Sequence, residues 1–445
     1  MFKKSIFRIK NSIKRFYFPF IFSIISFFII AYLRFEPYTF ENNKTKIILE
    51  MLGSLMFGIV FCTFSEILNE KYNFKINKII YNFILVIISF LPFVSLYFSH
   101  ENRYVSLAIF GIAFSLIIMT LYFLINENFS EFFSYIFKNT LFNLFVCAII
   151  FAGISICFFA FTSLIYNFDS SYKIYTIIVE FIVIVLFINL FLANIPKINE
   201  KIKLPGIFKT IILKVMFPIY FILLVILYVY LIKILFIFTF PSNLINIFVS
   251  LASLGFVFFV ATLTQFKTNL SVIKIFLKFG GYVIIPLIAM QFFAIYIRVS
   301  NYGLTTARYA SIVLNIFALF FAIYHIARQE KCLKNSLIVL ASTIFTLTVL
   351  PCLNILDLPV LQQTYCLEKI LKNNGMLENN KIIKKNEINS KDKERIISCF
   401  RYIVNDFKNS NFKPKFLNLD LIYLSTEEIF GFPDDKLNSK LRVRS

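Results

Sequence analysis

Residues 141–165, LFNLFVCAIIFAGISICFFAFTSLI, run from Leu141 to Ile165 without one Asp, Glu, Lys, Arg or His. As a helix this stretch is about 37 Å long, enough to cross roughly 30 Å of bilayer hydrocarbon. A surface helix of a water-soluble protein carries a polar stripe, and a barrel strand alternates over about ten residues. This run does neither, so it reads as a transmembrane helix whose backbone polar groups are satisfied internally. Ten further runs of the same kind follow the same reasoning: Tyr17–Leu33, Ile47–Leu68, Ile79–Phe98, Tyr104–Ile125, Ile174–Leu192, Ile211–Ile232, Leu244–Leu263, Gly281–Ile297, Tyr309–Ile326 and Leu337–Leu353. The expected fold is an all-α integral membrane protein with about eleven transmembrane helices. The apolar piece Ile234–Phe240 is too short to span, and reads either as a re-entrant segment or as an extension of the seventh helix.

Composition agrees with that reading. Of 445 residues, 59% are hydrophobic and 16% charged, and the mean hydropathy is +0.79, which excludes the ordinary water-soluble classes. Sixty Phe beside no Trp, with abundant Ile, Asn and Lys, reflects the coding bias of an AT-rich genome. The net charge of +21 does not form a nucleic-acid-binding patch, because the basic residues sit in short clusters between apolar runs. The expected partners are therefore membrane lipids and not nucleic acid. Seven Cys stand at positions 62, 147, 157, 332, 352, 366 and 399 with no Cys-x-x-Cys and no nearby His pair, so no metal or other cofactor is expected.

Orientation follows from the lysines and arginines. With the N-terminus in the cytoplasm, the inward loops hold about twenty of them, including Lys10, Lys14, Arg15, Lys71, Lys75, Lys78 and Lys334, against about eight in the outward loops. An odd number of spans sends the C-terminus outside. The basic N-terminal stretch followed by an apolar run lacks a small-residue cleavage site at Ala31-Tyr32-Leu33-Arg34-Phe35, and reads as a retained anchor.

Residues 1–356 are thus expected to form the polytopic transmembrane domain, and residues 357–445 a small, mainly helical extramembrane domain outside. The second segment carries 12 of the 24 acidic residues of the chain. Within it Ile396, Ile397, Phe400, Ile403, Val404 and Phe407 mark one helix face with Ser390 as N-cap, and a second helix is expected over Val360–Asn373, stopping at Gly375. Phe416–Tyr423 and Ile429–Phe432 would complete a modest core. Cys366 and Cys399 could pair if the compartment is oxidising.

Ionisable groups within spans are costly and attract attention. Glu180, some six residues into its span, is either a proton or cation site or a group that snorkels outward or pairs with Lys173. Glu50 and Glu66 near the ends of span two, and His325 beside Arg328, read as interfacial, and Lys214 as a snorkelling lysine. The most specific segment is the connection Ala294–Tyr309, AIYIRVSNYGLTTARY. Gly303 suits a left-handed turn, and Thr305 or Thr306 can cap the next helix. Arg298 and Arg308 stand on the side where basic residues are scarce. Arg298, Arg308, Tyr302, Gly303 and Thr305 are the candidates for holding a phosphate headgroup, or a carboxylate such as Glu36, Glu41 or Asp169. A purely structural hairpin anchored at lipid headgroups accounts for the same residues.

The box Ile295-Tyr-Ile-Arg-x-x-x-Tyr-Gly-Leu-Thr-x-x-Arg-Tyr309, with Tyr228-Val-Tyr-Leu-Ile-Lys-Ile-Leu235 and the segment Leu367–Ile382, resembles a bacterial multipass membrane family known only as a domain of unknown function. The resemblance covers most of the chain. It implies a bacterial inner-membrane protein with a C-terminal extramembrane tail, and it brings no activity, substrate or catalytic residue.

No phosphate-binding Gly-rich loop, zincin helix or serine-hydrolase elbow is present in the sequence. Three functions compete. The first is a non-catalytic envelope scaffold or sensor whose C-terminal domain meets a protein partner. The second is a transporter or handler of an anionic solute or lipid, with the two arginines receiving it; few Gly and Pro and no internal repeat weigh against it. The third is a membrane-embedded glycosyltransferase-like enzyme using Glu36 or Glu41, in an outer loop short for such a site. The balance leans away from an enzyme.

Overall fold

The computed structural model describes residues 10–35, 43–99, 103–125, 129–164, 171–198, 200, 206–237, 244–266, 271–329, 332–379, 381–385, 388–406, 416 and 426–432. Glu36, Glu41 and Asp169, with Phe407 and residues 417–423, lie outside them.

The described chain is almost wholly helical. Its spanning-length helices are α1 (Tyr17–Phe35), α2 (Asn43–Tyr72), α3 (Lys78–Phe98), α4 (Arg103–Leu124), α5 (Phe129–Leu164), α6 (Ser171–Glu180, a π-helical stretch Phe181–Phe187, then Ile188–Ala193), α7 (Gly206–Ile211, a π-helical stretch Ile212–Met216, then Phe217–Ile237), α8 (Leu244–Leu263), α9 (Ser271–Tyr302), α10 (Thr306–Arg328) and α11 (Cys332–Val349). Among the described residues eleven helices are long and apolar enough to cross a membrane, the number expected. After them come α12 (Asp357–Asn373), a two-stranded antiparallel hairpin of β1 (Leu377–Glu378) and β2 (Lys381–Ile382), α13 (Ser390–Asp406) and the short α14 (Thr426–Phe430).

Several helices outrun the apolar stretches that predict them. Helix α5 starts twelve residues before Leu141, and α9 runs from Ser271 through Pro286 to Tyr302, so Ala294–Tyr302 is helix and not connection. Hydropathy marks what lies in hydrocarbon, whereas the hydrogen-bond ladder continues as long as nothing stops it. Residues Ile234 to Ile237 extend α7; the remainder of that apolar piece lies outside the described residues.

The chain divides into two compact units. The first comprises Met1–Ile222, Phe256–Gly280 and Tyr324–Ile344. Within it α2 packs against α1, α3 and α4. Water is absent from hydrocarbon, so helices there associate through close contact of small residues, not through the hydrophobic effect. Ser54, Gly58 and Cys62 recur every four residues on α2 and make that contact: a Cβ on Gly58 would come within 2.8 Å of the Phe22 ring and 3.0 Å of Ser89 Cβ. Ser54 Oγ donates to the Ser89 carbonyl (2.7 Å), and Phe22, Leu55, Ile59, Cys62 and Leu85 fill the space around them.

Ion pairs join helices in this unit. Arg15 Nε and Nη2 grip the Glu70 carboxylate at 2.6 and 2.7 Å, while Arg15 Nη1 donates to the Ile195 carbonyl. Glu180, whose side chain is 13% exposed, accepts from Arg34 Nε at 2.8 Å. Its partner is therefore the arginine ending the first span and not Lys173, because α1 lies alongside the π-helical stretch that starts just after Glu180. His325, in the last turn of α10, is 2% exposed and stands edge-on to Phe256 at 5.5 Å between ring centres. Glu50 is buried too, and neither carboxylate oxygen has a hydrogen-bond partner among the described residues. Helix periodicity turns both groups inward, which a count of residues from the span end does not detect.

The second unit comprises Leu223–Gly255, Gly281–Ile323 and Phe345–Ser445. Tyr228 Oη on α7 donates to the Val283 carbonyl of α9 (2.6 Å), and Gln291 Nε2 of α9 donates to the Asn246 carbonyl and Ser250 Oγ of α8. Helices α12 and α13 pack on one another, and Leu367, Leu371, Met376, Ile396, Cys399, Phe400, Ile403 and Phe430 form their shared core. Helix α12 ends as expected at Gly375, φ +64°: the Met376 N–H reaches the Leu371 carbonyl and the Gly375 N–H that of Lys372, a Schellman closure. Helix α13 begins where expected but is capped by Asn389, whose Oδ1 accepts from the Lys391 N–H, and not by Ser390.

Candidate functional site at the Gly303 turn

Three residues, Gly303, Leu304 and Thr305, connect α9 to α10. Gly303 has φ +74°, a left-handed conformation that only glycine adopts without strain, and its N–H closes the last turn of α9 on the Val299 carbonyl. Thr305 caps α10: its carbonyl takes the Tyr309 N–H at 2.8 Å and its hydroxyl accepts the Arg308 N–H at 3.4 Å. Arg308 folds back over the turn. Its Nη1 donates to the Gly303 carbonyl (2.5 Å), and its guanidinium stands 5.8 Å from the Tyr302 ring centre. Arg298, one helical turn before Tyr302, lies within electrostatic reach of Arg308 and of Tyr230 on α7.

What holds this turn was not legible in the sequence. Gln363 of α12, 1% exposed, donates from Nε2 to both the Leu304 carbonyl (2.9 Å) and the Tyr302 carbonyl (3.2 Å). The neighbouring Gln362 accepts the Leu304 N–H (2.8 Å), and Tyr402 Oη of α13 accepts the Thr306 N–H (3.1 Å). Tyr309 Oη donates to the Leu353 carbonyl just ahead of α12 (2.6 Å). Buried Asn354 then caps α12, its Oδ1 accepting the Leu356 and Asp357 N–H groups and its amide donating to Asp357. A three-residue turn has more polar backbone than its own helices can satisfy, and here the C-terminal helices supply the missing partners. The Gln362-Gln363 pair on an otherwise apolar helix face was the available signal.

The turn thus gathers Tyr302, Gly303, Thr305 and Arg308, with Arg298 beside them; Glu180 belongs to the other unit, paired with Arg34. Chemically, the site offers two guanidiniums and an aromatic face. No nucleophile and base stand together in it, and among the described residues no three His, Cys, Asp or Glu side chains converge as metal ligands.

Behind the clasp, Cys366 and Cys399 are free buried thiols that meet across the α12–α13 interface. The Cys399 thiol donates a hydrogen bond to the Cys366 sulfur and the Arg395 guanidinium adds charge, holding Cys366 well below the usual thiol value, at about 6; the same hydrogen bond, then burial and the adjacent thiolate, push Cys399 up. A group depressed in the folded state stabilises it above its unfolded value, near 9, and loses that contribution as pH falls through 6. The melting-temperature gap between the wild-type chain and Cys366→Ser is therefore expected to widen from pH 6 to pH 9 and to close below pH 6. A gap independent of pH would show that no thiolate is held there.

Eleven spanning-length helices with a small helical C-terminal region define a multipass α-helical membrane protein. The chain belongs to the family described as domain of unknown function (DUF4153), whose model matches residues 18–384. The match takes in α12 and the hairpin after it, so the elements that clasp the turn from α12 belong to the family's own extent. Comparison with curated proteins and with solved structures finds no match.

Proposed function

We propose that the protein is a non-catalytic scaffold or sensor of a bacterial cytoplasmic membrane, in which the Gly303 turn seats the C-terminal helices and so fixes the surface they offer to an envelope protein partner. The observation that carries this reading is the clasp by Gln362, Gln363 and Tyr402. Arg308, the residue best placed to receive an anion, is engaged with the Gly303 carbonyl and the Tyr302 ring, which favours a linking role over a substrate-handling one. The distribution of lysines supports an N-terminus in the cytoplasm and a C-terminal region outside.

The test is a Gln363→Ala/Tyr402→Phe double variant. Membrane insertion and abundance are expected to stay at wild-type levels, while the native complex containing the chain is expected to shrink on blue-native gels, to the same size expected on removal of residues 357–445. A variant that keeps its complex but alters the distribution of a lipid or solute across the membrane would replace the scaffold reading with a transport one. An alkaline-phosphatase fusion after Ser445 is expected to be active, and an inactive fusion would reverse the orientation.

A further inference from the structure

The first unit contains a cavity of about 760 Å³ lined by α2, α4 and α6 with contributions from α3 and α5. Its lining extends along α4 from Ser106 to Leu124, roughly 27 Å of helix and close to the full thickness of bilayer hydrocarbon. The interior offers almost nothing polar. Three of its hydroxyls, on Thr63, Thr120 and Thr140, each donate to the carbonyl four residues earlier on their own helix. A polar solute would find no partner there, whereas hydrocarbon would lose nothing on entering. A smaller cavity of about 150 Å³ adjoins it, sharing Leu121, Ile136 and Thr140.

One end of this long apolar slot is basic. Leu124 lines it between two carbonyls that each hold a lysine: Lys71 Nζ donates to Phe123 (2.8 Å) and Lys334 Nζ to Ile125 (2.7 Å). The carbonyls of Phe123 and Ile125 are two residues apart at the end of α4, which holds the two ammonium groups near one another. Each has three donors, and one hydrogen bond apiece to a carbonyl leaves capacity for an anion. Arg15 donates to the carbonyl of Ile195, also a lining residue, with its charge already met by Glu70. Like charges held together at the mouth of a hydrocarbon-lined slot complement one kind of molecule, an alkyl chain ending in a negative headgroup.

We propose that this slot binds the acyl chains of an anionic glycerophospholipid, with its phosphate between Lys71 and Lys334. The site is separate from the Gly303 turn and stands whether or not the scaffold reading holds. The full-length chain, delipidated in detergent, is titrated with dioleoyl phosphatidylglycerol and with the zwitterionic phosphatidylcholine of the same chains, and bound lipid is counted by native mass spectrometry. Phosphatidylglycerol is expected to bind tighter, and Lys71→Gln/Lys334→Gln to weaken it about 30-fold while leaving phosphatidylcholine unchanged. Ala113→Phe, which fills the slot, is expected to weaken both lipids. Should the double lysine variant fail to fold, the wild-type preference together with Ala113→Phe decides. Equal binding of the two lipids, undiminished binding in Ala113→Phe, or displacement of phosphatidylglycerol by inorganic phosphate alone would each overturn the proposal.

Discussion

Replacing Gly303 with alanine is expected to unseat the C-terminal helices. At φ +74° any Cβ costs about 1–2 kcal/mol of backbone strain, and here it would also overlap the Gln363 carboxamide. Gln363 must then give up its hydrogen bonds to Tyr302 and Leu304, each worth about 1 kcal/mol, inside a site where it is almost fully buried. A total of about 3 kcal/mol or more is expected, read as a lowered melting temperature and as new protease cleavage between Val349 and Asp357. Gly375→Ala is the control. Its φ is also positive, +64°, but no atom lies within 4 Å of the added Cβ, so only the strain of about 1–2 kcal/mol applies. Equal losses at the two glycines would show that strain alone matters and that Gln363 does not hold the turn.

The second large effect is expected at Gly58. Even an alanine Cβ there would approach the Phe22 ring to 2.8 Å, and neither neighbour can retreat easily because Ser89 lies at 3.0 Å on the opposite helix. Overpacking of this kind costs about 1–3 kcal/mol, and Gly58→Leu should reach or exceed the upper figure by forcing α1 and α3 away from α2. The check is the melting temperature and monodispersity of the detergent-solubilised protein. Gly58→Ala combined with Phe22→Leu is expected to recover most of the loss, which a general intolerance of larger residues would not allow. Gly153→Ala, where no atom lies within 4 Å, should be close to neutral. Since bilayer hydrocarbon provides no drive to bury one apolar face against another, the stability of this unit depends on such contacts more than on its abundant phenylalanines.

These two glycines show how unevenly the sequence discloses the molecule. Gly303 was recognisable as a turn residue because it interrupts an apolar pattern between two arginines. The clasp around it was not, since Gln362, Gln363 and Tyr402 lie some sixty to a hundred residues downstream, and even the paired glutamines do not say which turn they hold. Gly58 was hidden in the opposite way. Inside an apolar run it looks like any small residue, although the four-residue spacing of Ser54, Gly58 and Cys62 was there to be read. Glu180 was picked out by the cost of a charge in hydrocarbon, but periodicity could not say that Arg34, 146 positions earlier, would answer it.

The lipid slot belongs to the same category. Its apolar lining is indistinguishable from ordinary membrane helix in the sequence, and Lys71 and Lys334 count there as two more basic loop residues. Only when α4 ends between them do they become a pair.

From residue order alone came the membrane class, the number of spans, the helical tail and the glycine turn. Each of these depends on the solvent a segment prefers or on the backbone angles one residue permits, and both are local properties. Tertiary structure alone decided which charges meet, which small residues face a ring, and what seats the turn. Those outcomes depend on distances between helices far apart in the chain, and an apolar run holds no record of its neighbours.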